Sequence, residues 1–175
     1  MTGAAKPGRR PATEVEARAL ASAVRLRILR LCLDRALTNK EIAQKLDAHP
    51  ATTLHHVRKL VATGFLAPQA ERRGTRGARE VPYLATRKSW RLDVSESGVS
   101  GGGAALLEAF LAEVRLVDLD NAGMARLGLR LTEPEVAELR ERVGALLNEW
   151  AGRPPSADGR PYSVFMSLYE DVTRD

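Results

Sequence analysis

All three histidines of this 175-residue chain, His49, His55 and His56, fall within eight positions, so histidine chemistry must be weighed there first. His55 and His56 are adjacent, whereas two ligands on one helix face need i and i+4 spacing. The single cysteine, Cys32, sits among Leu29, Leu31 and Leu33, the setting of a core residue rather than a metal-binding thiolate. No metal centre is expected. With no histidine after His56, a Ser-His-Asp arrangement would have to be built in this same segment, so no catalytic residue and no enzyme is expected. Gly101-Gly102-Gly103 lacks the strand-to-helix setting of a dinucleotide loop, and no cofactor is implied.

The stronger chemistry is cationic. Arg72, Arg73, Arg76 and Arg79 place four arginines in eight residues around Gly74, Thr75 and Gly77, while Arg58 and Lys59 stand together a little earlier. Guanidinium and ammonium groups in such density suit phosphate oxygens. Residues 1–90 carry 18 Lys and Arg against 7 Asp and Glu, a balance of +11. Residues 91–175 carry 9 against 15, a balance of −6. A polyanion therefore fits the first half and would be repelled by the second.

These side chains need positioning elements, and the stretch from Thr38 to Gly64 supplies them. Thr38 with Glu41 has capping-box spacing and predicts a helix start, with Ile42, Ala43 and Leu46 on one face. Asp47-Ala48-His49-Pro50 breaks it, Pro50 suits the first turn of a second helix, and Gly64 is a C-terminal stop. Two short helices joined tightly form a helix-turn-helix. At about 100° per residue, Thr53, Val57, Leu60 and Val61 share the inner side of the second helix. Ala51, Thr52, His55, Arg58, Lys59 and Ala62 share the outer side, small and polar groups first and cations later. That order suits a recognition helix in the major groove. His56 lies at the flank, where bracing the helix competes with contacting phosphate.

Phe65-Leu66-Ala67-Pro68 and Val81-Pro82-Tyr83-Leu84-Ala85 read as strands around the arginine-rich tip, a basic hairpin placed as a wing. The expected DNA contacts are Thr38 and Lys40 at the first helix start, Ala51, Thr52, His55, His56, Arg58 and Lys59 on the second helix, and Arg72, Arg73, Thr75, Arg76 and Arg79 on the wing.

Residues 20–86 resemble the winged helix-turn-helix of ArsR-type bacterial transcriptional regulators. ALASAVRLRILRLC is similar to the helix preceding the motif, ATTLHHVRKLVATGFL to the recognition helix entering the wing, and GAREVPYLAT to the returning strand. The resemblance implies a dimer on a double-stranded operator. It departs at one point: metal-sensing members carry Cys-x-Cys where Thr38 and Lys40 stand here, which argues against that metal site.

Around this centre, residues 1–12 read as a disordered basic tail and residues 13–88 as the DNA-binding domain. Thr13 with Glu16 repeats the capping-box spacing, and Ser22 is placed to cap the next helix. Residues 89–103 read as a Ser- and Gly-rich linker. Residues 104–175 read as a dimerisation part in the order helix, strand, helix, strand. Leu107, Phe110, Leu111 and Val114 follow helical spacing, Leu127, Leu129 and Leu131 alternate, and Thr132 with Glu135 opens a long helix. Tyr162, Val164, Met166 and Leu168 alternate again, predicting two strands parallel in a βαβ unit. Phe165 and Tyr169, with Ser163 and Ser167 on the same strand face, are the candidates for a partly polar pocket, open to an unidentified small-molecule effector, or for a subunit contact.

The expected fold class is thus α+β, an N-terminal winged helix-turn-helix with a C-terminal α-β-α-β part. The expected function is a dimeric, cytoplasmic DNA-binding regulator acting as a repressor, with no membrane partner. The alternative is a winged-helix interaction module whose basic face binds an acidic protein.

Overall fold

A computed structural model describes residues 9–74 and 78–174. Thr75 and Arg76 of the expected wing contacts, and residues 1–8 of the expected tail, lie outside the described residues. The fold is α+β, and the chain divides into two compact units, residues 1–128 and 129–175.

In the first unit, α1 (Glu14–Leu20) and α2 (Ala23–Leu31) lead into α3 (Asn39–Leu46) and α4 (Pro50–Ala62). Both expected capping boxes form, Thr13 with Glu16 and Thr38 with Glu41. Ser22 is the residue before α2 but makes no side-chain cap; instead Arg25 Nε and Nη2 donate to the carbonyls of Ala19 and Arg18, tying α2 to the end of α1. Asp47 ends α3 in the left-handed region at φ 50°, a conformation its short polar side chain tolerates.

The wing sheet has strand order β2 (Leu37–Thr38), β6 (Pro82–Ala85), β3 (Leu66–Pro68), all antiparallel, with Leu66 opposite Ala85 and Leu37 opposite Tyr83. The hairpin continues as β4 (Arg72–Arg73) against β5 (Arg79–Glu80). Helices and sheet close over Ile28, Leu29, Cys32, Leu37, Ile42, Val57, Leu60, Phe65 and Leu66. Tight burial of these apolar side chains holds the two motif helices at a fixed angle to the wing.

Residues 9–12 of the expected tail and 90–93 of the expected linker are held together by specific contacts. Arg10 and Pro11 form β1, which pairs in parallel with β7 (Leu92–Asp93), and Ala12 N donates to Asp93 O at 2.7 Å. Arg10 also meets Glu16 at 2.6 Å, and Lys88 meets the same carboxylate at 2.7 Å. Two cations on one nearly buried carboxylate, with Arg9 stacked 4.0 Å over Trp90, outweigh the flexibility of a Pro- and Gly-rich stretch. From Gly102 to Val114 the chain forms α5, whose Ala105 and Ala109 are buried and whose Glu113 meets Arg30 of α2 at 3.4 Å. The helix expected to begin the C-terminal part thus packs on the first unit.

The second unit contains α6 (Glu133–Gly152), opened by the third expected capping box at Thr132 and Glu135. Neither expected C-terminal strand is present: residues 123–132 and 159–170 carry no regular structure. Period-two alternation reports a surface that is covered on one face, but a strand also needs a neighbour to take up its main-chain hydrogen bonds. No βαβ unit forms.

Candidate nucleic-acid interface

The start of α4 is built by residues just outside it. Pro50 occupies the first helical position, and His49 is the cap, its Nδ1 accepting from Ala51 N at 3.2 Å and its carbonyl from Thr53 N and Oγ1. Asn39 at the start of α3 donates through Nδ2 to Pro50 O at 2.9 Å, so the two motif helices are joined at their first turns. Histidine was therefore at the right place for a different reason: His49 caps.

The inner and outer faces of α4 fall as the helical angle predicts. Thr53, Val57 and Leu60 are buried and Val61 is half-buried against the core. Ala51, Thr52, His55, Arg58, Lys59 and Ala62 are exposed. Among the described residues, no ion pair engages Arg58, Lys59, Lys40 or Arg73. Their full charge faces solvent. His56 is different. It is half-buried, its Nδ1 finds no hydrogen-bond partner among the described residues, and its pKa is lowered by burial, then by the charge of Arg25 and by His55. Burial that disfavours its charged form makes His56 a poorer phosphate contact than the exposed His55.

Thr38 is turned inward. Its side chain is buried, with the hydroxyl accepting from Glu41 N at 3.2 Å while Thr38 N donates to Glu41 Oε2 at 2.7 Å. That carboxylate serves a second purpose that spacing did not reveal, because Arg72 of β4 donates to it at 2.7 Å across 31 residues. Arg35 approaches its other oxygen at 3.6 Å. The Thr38 backbone N–H, and then the Arg72 guanidinium, hold the Glu41 carboxyl at a pKa of about 2. Arg72 is also 3.9 Å from Glu80. It therefore ties the wing to α3.

The remaining described wing cations are freer. Arg79 is 86% exposed and 3.7 Å from Glu71, while Arg73 stands opposite Arg79 on the neighbouring strand. A Cβ at Gly74 would fall 2.3 Å from Glu80 Cδ, so the Glu80 side chain would have to swing aside. Between α3 and the wing runs an open cleft of about 490 Å³, with Lys40 and Gln44 on one side and Arg73 and Gly74 on the other. An exposed helix face with cations at its end, and a cation-edged cleft beside it, can follow two stretches of a phosphate backbone.

Among the described residues, no group of three or more His, Cys, Asp or Glu is placed to hold a metal ion. Cys32 is buried, and burial pushes its thiol up to about 12. No helix among the described residues is long and apolar enough to cross a membrane.

Fold and site together define a winged helix-turn-helix, and residues 20–69 match the family described as a helix-turn-helix domain. Comparison with curated proteins finds no match. Among solved structures, the chain is similar to reduced HlyU from Vibrio cholerae, at 23% identity over 55% of this chain and 84% of that one, with a TM-score of 0.36. A mutant of ZitR from Lactococcus lactis is 24% identical over 73% of each chain, with a TM-score of 0.34. Wild-type ZitR in complex with DNA is 17% identical over 86% of this chain and 83% of that one, with a TM-score of 0.29.

Proposed function

We propose that this protein is a DNA-binding transcriptional regulator of the ArsR type, a dimer that occupies an inverted-repeat operator and represses by blocking access to it. One observation carries the reading. The outer face of α4 is exposed along its length and runs from Thr52 and His55 to Arg58 and Lys59, cations that no carboxylate among the described residues neutralises. Thr52 and His55 are the base-edge contacts, and Arg58, Lys59, Lys40, Arg73 and Arg79 meet the backbone. The role is binding rather than catalysis, and the site of action is the cytoplasm. A dimer is supported by the outward apolar row of α5, where Leu106, Leu107 and Leu111 are 50%, 47% and 41% exposed.

The test is titration of the full chain with duplex DNA across a salt series. Each phosphate neutralised contributes roughly 0.9 to the slope of log K against log salt for B-DNA. Arg58, Lys59 and Arg73 replaced together by Ala are expected to flatten that slope by ~2 to 3 and to weaken all duplexes alike. An unchanged slope, with binding instead to an acidic protein surface, would make this an interaction module.

A further inference from the structure

We propose that residues 160–170 form a strand only when paired, antiparallel and centred on Phe165, with the same segment of a second copy of this chain. This deepens the dimeric reading above by naming a surface of the second unit.

The second unit lacks a core of its own. No described residue from 129 to 174 is buried, although α6 is amphipathic and properly capped. Tyr162, Val164, Met166 and Leu168, which share one face at strand spacing, are 87%, 69%, 56% and 43% exposed. Leu146, Trp150 and Tyr169 are exposed as well, so large apolar side chains of this unit are left uncovered by the described residues.

The sequence itself selects the partner. About Phe165 the stretch YSVFMSL, residues 162–168, is symmetric by residue class. In an antiparallel pair centred there, Tyr162 faces the partner's Leu168, Ser163 the partner's Ser167, and Val164 the partner's Met166. At the ends Arg160 faces the partner's Glu170, opposite charges in direct register. Directly opposed pairs of like polarity or opposite charge are what stabilise an antiparallel ladder. A two-fold axis through Phe165 gives this register, since residue i then meets j and j meets i. The unit's six arginines against nine carboxylates make a nucleic acid or an anionic membrane a poor occupant. Pairing would also give the main chain of 162–168 the hydrogen bonds that make a strand.

The register can be read by crosslinking. In the proposed pair, residue 162 lies about 20 Å from its own copy, six residues at ~3.4 Å, but directly opposite residue 168. Chains carrying Tyr162→Cys and Leu168→Cys are prepared separately, then mixed, co-refolded and oxidised mildly; native Cys32 is buried and does not compete. The mixture is expected to give a disulfide-linked dimer as the main oxidised species, and either variant alone only background. Sedimentation of the unmodified chain should give twice 19.1 kDa. Two results would overturn the proposal: a monomer at all concentrations, or a dimer in which the mixture crosslinks no better than the single variants. The readout involves no DNA, so a chain that crosslinks in register yet ignores duplex would end the DNA reading and leave this one standing.

Discussion

Glu41 holds the first turn of α3 and the wing at the same time. Its folded pKa of about 2 lies below that of an unfolded glutamate, roughly 4.3, so its stabilisation is fully present above pH 4.3 and is lost as pH falls toward 2. Glutamine keeps the cap but not the ion pair with Arg72. Glu41→Gln is therefore expected to cost about 1 kcal/mol at neutral pH, since the pair is partly exposed, and to flatten the acid limb of stability against pH. Chemical denaturation from pH 7 to 2.5 checks this, and an unaltered acid limb would remove the Arg72 pair from the account. His56 has the opposite sign of charge but the same direction: its lowered pKa means the folded state resists protonation, so stability should fall as pH drops through the ordinary histidine range. In His56→Leu that loss should be absent. The outer residues of α4 were legible because helical angle needs only neighbours in sequence. The Arg72 contact was not, because β4 meets α3 only once the sheet is assembled.

The elements were legible where their signals are local. The capping boxes at Thr13, Thr38 and Thr132 and the stop at Gly64 need no tertiary information. Gly64 has φ 72°, and a Cβ there would lie 3.5 Å from Lys88 Nζ, an ordinary contact. The cost of Gly64→Ala is then backbone strain alone, about 1–2 kcal/mol for an L-residue in the left-handed region. Thermal unfolding should show it, with DNA specificity unchanged because no outer α4 residue moves. Leu60→Ala, at a fully buried position of the same helix, should cost more, about 2–5 kcal/mol. The order of these two measures whether α4 is held chiefly by its core face. Alternation at 127–131 and 162–168 was equally visible, but neither segment is a strand, because alternation does not supply the neighbour that takes up main-chain hydrogen bonds. Sequence periodicity carries no information about whether a strand's neighbour belongs to the same chain. The reverse failure occurred at Arg10 and Pro11, where Pro and Gly obscured a strand fixed by Glu16 and Asp93.

At the scale of the molecule, a basic first half and an acidic second half favour a polyanion at the first half. Non-specific attraction follows from that charge; sequence preference does not. In the proposed reading preference comes from Thr52 and His55, so replacing each by Ala should narrow the gap between operator and random duplex by about 1–3 kcal/mol per lost base contact. The most direct measurement is selection of bound sequences from random duplex DNA with the full chain. Two recognition helices related by a two-fold axis are expected to enrich an inverted repeat with half-site centres about 10 base pairs apart, or a multiple of that. Enrichment of a direct repeat, of a single asymmetric half-site, or of no sequence at all would contradict a dimer that reads DNA through α4.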